Sequence, residues 1–414
     1  MNIIILGAGL IGVSSAYYLN KAGHNVTVID RQEKSGQETS FANGGQISVC
    51  YSEPWSSISN LKKIIGWLGK EDSPILFRPQ LDIAQMQWGM RFLKECLPAN
   101  NKSNIQNMLK IALYSRQSLQ ELRAVENLQY EQQTNGILTF YTSKDSFEQG
   151  KEAAKFMSAF GCDRYIKTTE ETLSIEQSLK NCTLPIYGSD FTPDDESGNA
   201  LIYTEQLTQI CKQNGVQFLF NHDIKKFNLN LDGDTITSVV TENNDKSFVL
   251  QADKFVLAAG SYSSLLAKSI GVYLPIYPAK GYSATLDITE PELINYVSLT
   301  DMDNKTVYTR LGNKLRIAGT AEFNGYNLDL NEQRCKSLVD RVRKILPNGL
   351  DYDNPFFWTG LRPATPGNVP IIQKFKNNLY VNSGHGTLGW TMATGSGKLI
   401  SQMINNKPLF GNEF

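Results

Sequence analysis

The chain opens on an apolar run, "NIIIL" over residues 2–6, with no polar position among its isoleucines. A β-branched run of this kind, followed at once by glycine, predicts a strand buried on both faces, as in a parallel sheet. Apolar positions then recur at Leu10, Val13 and Tyr17, at helical spacing, until Gly23 stops the pattern. "NVTVID" (25–30) returns to a strand and ends on the acid Asp30. Between the first strand and the helix stand Gly7, Gly9 and Gly12, a G-x-G-x-x-G. Strand, glycines, helix, strand and acid in that order, within about 30 residues, predict a dinucleotide-binding β-α-β unit. Gly7 allows the tight turn, Gly9 lets the backbone approach a pyrophosphate, and Gly12 lets the helix close on the strand. The helix start offers free N–H groups and partial positive charge to the phosphates. Asp30 is placed to accept from an adenosine ribose and would repel a 2′-phosphate. Ala8, Leu10, Ile11 and Arg31, interleaved with these, complete this part of the candidate cofactor set.

The pattern beyond Asp30 bears on which dinucleotide it is. An NAD domain would continue with another β-α-β unit. This chain turns instead to "ETSFANGGQIS" (38–48), polar and glycine-rich, and then to long helices. Ser40, Asn43, Gly44, Gln46 and Ile47 are its candidate cofactor contacts. Pieces of a nucleotide fold return much later. "GVQFLFNHDIKKFNL" (215–229) predicts a strand pair or hairpin edge, with Ile224 near the cofactor, and "SFVLQADKFVLAAGSYS" (247–263) predicts a strand ending at Ala259-Gly260. "NLYVNSGHGTLGWTMATGSGKLISQMI" is strand, glycine loop and helix, with Met392, Ser396, Leu399 and Met403 as one stripe. Gly384, Gly386, Thr387 and Leu388 would bring backbone to the cofactor. Segments so dispersed suit an extended cofactor, FAD rather than NAD.

Composition narrows the function classes. With 414 residues the chain is too long for one ordinary core, so two domains are expected. A net charge of -1 gives no basic surface for nucleic acid. The six cysteines form no C-x-x-C pair and have no histidine in metal-ligand spacing, so neither a disulfide framework nor a metal site is expected, and a reducing compartment fits. No run of about 18 apolar residues predicts a membrane span. The N-terminus lacks a basic n-region, so it is read as the start of a folded, cytoplasmic domain rather than a signal peptide. In "SNLKKIIGWLGKEDSPILF" (59–77), Ile64, Ile65, Trp67 and Leu68 sit among Lys62, Lys63 and Lys70. That segment is either a surface helix packing its apolar face inward or a peripheral contact with an anionic membrane.

The chain resembles the FAD-dependent D-amino acid dehydrogenase small-subunit family, within the D-amino acid oxidase and glycine oxidase superfamily. The resemblance rests on the N-terminal glycine motif, "ETSFANGGQIS", "YPAKGYS" (277–283), "FWTGLRPATP" (357–366) and "NSGHGTLGWTMATGSG", in family order over almost the whole length. It departs after G-L-R-P, where "TPGNVPIIQ" lacks an acidic residue and a glycine of the family pattern. The resemblance implies an α/β fold: a Rossmann-like FAD-binding domain interleaved with an α+β substrate domain built on a large, mostly antiparallel sheet. The division expected is 1–49, 190–272 and 355–414 for FAD, and 50–189 and 273–354 for substrate. It implies non-covalent FAD, and oxidative deamination of small D-amino acids to 2-oxo acids and ammonia. Electrons would pass to a quinone or another acceptor, at the inner face of the plasma membrane if the contact at 59–77 exists.

An amino acid needs its carboxylate held while Cα–H meets the flavin, and arginine grips a carboxylate with two parallel bonds. "GLRP" offers Arg362, where the resemblance also places the superfamily's carboxylate-binding arginine. "YPAKGYS" offers Tyr282 and Lys280 as further catalytic candidates, against an ordinary core tyrosine and a solvated lysine. Tyr51 and Tyr308 are pocket candidates by aromatic content alone. His385 is expected to line the pocket or orient its loop, not to act as a base, because the substrate's own amine can assist hydride loss. Two other readings stay open: another small amine such as glycine, sarcosine or proline on the same scaffold, and a non-catalytic flavin-binding sensor or subunit.

Overall fold

The computed structural model describes residues 1–67, 69–71 and 73–410, without the side chain of Ile65. Strand Asn2–Leu6 is central in a six-stranded sheet, flanked in parallel by Asn25–Ile29 and Lys254–Leu257. Gln217–Leu219 extends one side and Leu379–Ser383 the other, both parallel, and Ile371–Lys374 closes the edge antiparallel. The uninterrupted apolar run is explained by burial on both faces. Ile3 and Ile5 join a core with the helices Leu10–Lys21, Ala200–Gln213 and Gly389–Ile404. Ile4 and Leu6 face the opposite way, toward Phe227 and Val239 of a three-stranded antiparallel sheet. The 215–229 segment therefore divides, its first strand in the nucleotide sheet and Asp223–Leu229 in that smaller sheet.

The second layer is a nine-stranded, mostly antiparallel sheet. Its longest strand, Tyr277–Asp287, lies next to one edge, between Phe356–Ala364 at that edge and Lys314–Phe323. Thr306–Leu311 and Ser298–Asp301 follow, then Ile137–Tyr141, Gly188–Thr192 and Tyr165–Lys167. Two pairings are parallel: Ser298–Asp301 with Ile137–Tyr141, and the short Ile75–Phe77 with Lys314–Phe323. One face packs Tyr282, Ala284, Tyr308 and Ile317 under the helix Glu332–Ile345. The other face meets the nucleotide layer, where Val307 stands against Gly44 and the Thr309 hydroxyl donates to the Gly44 carbonyl at 2.7 Å.

Hydrogen bonding places Phe356–Ala364 in this large sheet, although it falls within the 355–414 segment expected in the FAD domain. The chain returns to the nucleotide sheet only after Ala364, because register with Tyr277–Asp287, invisible in sequence, claims the strand. Gly188–Thr192 straddles the expected boundary at 190 in the same way. The loop that departs from the family pattern closes through Asn368, which takes φ 60 and accepts from the Trp55 N–H at 3.0 Å.

A Cβ on Gly12 would lie 1.9 Å from the Gly7 carbonyl oxygen, and one on Gly397 would lie 2.6 Å from the backbone of Ser14. Backbone-to-backbone contact leaves nothing flexible to yield, so overpacking here costs at least about 1–3 kcal/mol. Gly12→Ala is expected to purify with reduced flavin content and a lowered thermal midpoint. Wild-type flavin content and midpoint would contradict this account of the turn.

Candidate active site

A cavity of about 1490 Å³ lies between the two layers. That exceeds the roughly 300–1,000 Å³ of a pocket for one drug-sized ligand, so a dinucleotide and a small second ligand both have room. At one end the nucleotide turn is held by Asp30. Its carboxylate accepts from the Ala8 N–H at 2.6 Å and the Gln32 N–H at 2.8 Å, while burial raises its pKa. No side chain caps the first helix at Gly9, and the Ser40 hydroxyl accepts from Leu10 N–H at 3.1 Å. Arg31 stacks on Tyr262 at 3.8 Å and pairs with Glu38 at 2.6 Å.

Most of the expected cofactor residues border this one cavity. Gly7, Gly9, Leu10, Ile11, Asp30, Arg31 and Ser40 do so from the first unit, and Asn43, Gly44 and Gln46 from the glycine loop. Ile224, Ala259 and Gly260 come from the later segments, with Gly386, Thr387 and Leu388 from the last loop. Ala8, Gly12, Ile47 and Gly384 do not line it. Ala8 and Gly12 shape the turn, Ile47 is in the core, and Gly384 takes φ +84 against Thr365.

The residues fit FAD on two counts. Four separate glycine-bearing turns, at Gly7, Gly44, Gly260 and Gly386, meet along one elongated space. Moreover Thr320, Thr359, Asn382 and His385 line it with buried polar atoms that have no protein partner, and such atoms are rare unless a ligand or water satisfies them. None of the six cysteines borders the cavity.

Arg362 projects into the middle of the cavity from Phe356–Ala364. Gly281, on the neighbouring strand two residues beyond Ala279, the partner of Arg362, leaves its space: a Cβ there would sit 2.2 Å from Nη1. Nη1 donates to the Thr320 carbonyl at 2.7 Å. That carbonyl points inward because a bulge interrupts the register between Lys280 and Tyr282, and Thr320 takes φ 55. Left-handed backbone at a β-branched residue costs on the order of 1–3 kcal/mol. No acid pairs with Arg362 among the described residues, and burial together with the Arg334 charge lowers its pKa to about 10. The guanidinium is thus a desolvated cation with room beside it. The Arg362 strand is also tied to the nucleotide layer. Thr39 and Ser261 each donate a hydroxyl to the Leu361 carbonyl at 2.9 Å, and Ala364 bridges to His385.

Three expected pocket residues turn the other way. Lys280 and Tyr282 alternate with Gly281, so their side chains emerge on the opposite face. Tyr282 borders the cavity, but its hydroxyl donates to Glu322 at 2.5 Å, and Lys280 lies 3.4 Å from the same carboxylate. Lys280 also donates to Asn327 at 2.8 Å. Burial opposes charge on Glu322, but hydrogen bonds from Tyr282 and Arg78 hold its carboxyl below the ordinary range. Tyr308 is fully buried in the core under the helix Glu332–Ile345. The sequence reading had no register from which to choose the face. Tyr51 does line the cavity, its hydroxyl on the Met302 sulfur at 2.8 Å. Gly281 and Thr320 went unrecognised in the sequence. A glycine inside a strand is itself a signal of close approach, whereas nothing marks Thr320.

His385 lines the cavity with neither ring nitrogen bonded to protein, and burial lowers its pKa to about 3. It is neutral throughout the ordinary physiological pH range. In the unfolded chain the ring gains its proton below about pH 6.5, so the stabilisation from this neutral buried group is full above that pH and is lost as pH falls toward 3. Between pH 7.5 and 5 the loss is about 2 kcal/mol. The denaturation free energy of His385→Ala is expected to vary that much less over this interval than the wild type's. An equal variation would show that His385 titrates normally. Gly386→Val, at φ +55, should reduce bound flavin more than His385→Ala does.

The comparisons with known proteins agree with this geometry. Residues 2–403 match the DAO family, FAD dependent oxidoreductases. A D-amino acid dehydrogenase of Dechloromonas aromatica is 48% identical over 98% of this chain and 97% of its own length. One of Paramagnetospirillum magneticum is 44% identical, over 99% and 96%. Among solved structures, L-proline dehydrogenase from P. horikoshii superposes with a TM-score of 0.75 at 17% identity, covering 100% of this chain and 95% of that one. Glycine oxidase from Bacillus cereus does so with 0.74 at 19%, covering 98% and 95%. The chain belongs to the DAO family of FAD-dependent oxidoreductases.

Proposed function

We propose that this enzyme is a D-amino acid dehydrogenase. It oxidises a small D-amino acid at Cα, and water then releases the 2-oxo acid and ammonia. Arg362 is the observation that carries the reading: a half-buried, acid-free guanidinium fixed by the Thr320 carbonyl, beside the space for the cofactor. A sensor or assembly subunit would have no use for it. The substrate class comes from the relatives named D-amino acid dehydrogenase. FAD, when bound, supplies the hydride acceptor. The chain's part is to grip the α-carboxylate at Arg362 and thereby aim Cα–H. Its neutral His385 leaves the substrate's own free amine to assist the departure of hydride. Gly386, Thr387 and Leu388 offer backbone at the start of the last helix, the site for N–H groups that meet negative charge on the reduced ring. A separate acceptor would then take up the two electrons, and we propose a quinone for it.

The expected membrane contact is proposed on a different surface from the one read in sequence. No helix among the described residues is long and apolar enough to cross a membrane. Within 59–77, Leu61 and Ile64 pack inward on the core that holds Trp88, Phe92 and Phe323, and Ser59, Lys63 and Trp67 line the cavity. Leu68 and the Ile65 side chain lie outside the described residues. The adjoining helix Ile83–Glu95 buries Gln85, Trp88 and Phe92, yet leaves Ile83, Met86, Met90 and Leu93 each more than half exposed on its other side. Leu81 and Leu97 continue that stripe, and Arg91, Lys94 and Lys102 are exposed beside it. An apolar stripe flanked by cations suits the inner face of the plasma membrane, met from the cytoplasm.

Removing one partner of a buried charged pair costs about 2–5 kcal/mol. Arg362→Ala should therefore keep its FAD but lose roughly 30-fold or more in kcat/KM for D-amino acids, chiefly through KM. Anaerobic loss of the oxidised-flavin absorbance with a panel of D- and L-amino acids tests the activity, and unchanged kinetics in the variant would remove Arg362 from the site. Wild-type protein should sediment with anionic vesicles in low salt and Met86→Asp/Met90→Asp should not; equal sedimentation would place the contact elsewhere.

A further inference from the structure

Past the Arg362 region the cavity continues along the Ser298–Asp301/Thr306–Leu311 hairpin. This arm has no role in the function proposed above. Tyr51, Met302 and Phe156 supply apolar wall, and Lys63, Gln149 and Lys305 supply polar groups. Lys305 occupies the hairpin turn at φ 55, is exposed, and lines the cavity. Its ammonium approaches the Met302 sulfur at 2.9 Å and forms no ion pair among the described residues. Lys63 donates to Gln149 at 3.3 Å and likewise has no acid partner among them.

Two of the nearby acids are committed. Glu53 pairs with Arg164 at 2.6 Å. Asp303 accepts from the Thr142 N–H at 2.6 Å and the Ser143 N–H at 3.2 Å. Glu152 stands exposed on the rim. Burial and the Lys63 charge lower the Lys305 pKa to about 8, with Arg164 acting in the same direction and Glu53 and Asp303 opposing it. Two cations without acids in a partly apolar channel form a site for an anion. Lys305 borders a strand three places across the sheet from that of Arg362, whose guanidinium reaches over Gly281 to the Thr320 carbonyl. The two cations thus border one cavity from different strands.

We propose that this arm is the entry passage for the amino acid, and that Lys305 with Lys63 forms a second carboxylate-binding station that concentrates the substrate's anionic head before it reaches Arg362. The inference rests on amino acids being the substrate. Attraction of this kind raises capture, not the rate of the chemical step, and salt weakens it.

The test is anaerobic reduction of the holoenzyme by D-alanine and by D-glutamate, at low and high ionic strength, in wild type, Lys305→Met and Lys305→Arg. For Lys305→Met the second-order rate constant should fall about ten-fold at low salt with both substrates. The limiting rate at saturation should hold, and the salt dependence should flatten; Lys305→Arg should restore all three. An unchanged rate constant and salt slope would overturn the proposal. A limiting rate that falls equally would place Lys305 in the chemistry, and a loss confined to D-glutamate would make it a side-chain subsite; either result overturns the entry role. Wild type that no amino acid reduces would instead sink the proposed function, and this inference with it.

Discussion

A guanidinium held in a protein wall without an acid is an expensive arrangement, and the seam between the two layers is organised around it. Arg362 keeps its charge beside one carbonyl, that of Thr320, itself presented by left-handed backbone at a bulge. Its strand is fixed from both sides: the large sheet holds it through register with Tyr277–Asp287, and Thr39, Ser261 and His385 hold it from the nucleotide layer. In the proposed function a clamp joined to only one layer would move relative to the cofactor, and ties to both limit the ångström-scale drift that misplaces a hydride donor.

The far face of the sheet supports that position. Glu322 accepts from Tyr282 and Arg78 and lies beside Lys280, all under one helix. Arg334, on that helix, is buried with its guanidinium on the Glu71 and Ser73 carbonyls, and its charge reaches Arg362 through the sheet. Burial and the like charge of Arg334 across the sheet lower the Arg362 pKa to about 10, which leaves it charged at neutral pH. The anionic Glu322 cluster offsets part of that field. Lys280 and Tyr282 thus stand behind the site, as the residues that keep an acid where the arginines need it. Lys280 also holds Asn327 and the Asp329 carbonyl, anchoring the loop that brings Leu328 to the cavity.

What was legible in the sequence divides along the same line. The dinucleotide turn was legible because its chemistry is local: Gly7, Gly12 and Asp30 act on one another within a single β-α-β unit. Arg362 was legible because a lone arginine between apolar neighbours and prolines has few ordinary uses. The face of a side chain in a nine-stranded sheet is not local. In "YPAKGYS" the alternation puts Lys280 and Tyr282 together and Gly281 opposite, but both faces are buried, so hydrophobicity cannot say which one meets the cofactor. The bulge then shifts the pairing by a residue that nothing in "GTAEF" announces. Lys305 was hidden for the converse reason. A lysine in "DMDNKT" looks like a solvated turn, and only the approach of Tyr51 and the neighbouring helices converts that turn into the wall of a channel.

The scarcity of conventional catalytic residues follows from the division of labour. With a flavin as hydride acceptor and the substrate's amine as the source of the electron push, the protein needs a cationic grip, a dry wall and backbone able to meet negative charge. Each can be made from few side chains: one arginine, apolar strands, and glycines that let main chain approach. A protonatable histidine in the same space would compete with the flavin for the amine's electrons and with Arg362 for the carboxylate. Burial removes that competition by holding His385 neutral. On the proposed function, the imidazole, not expected to be a base from its sequence context, serves as shape and as a polar wall beside its flanking glycines.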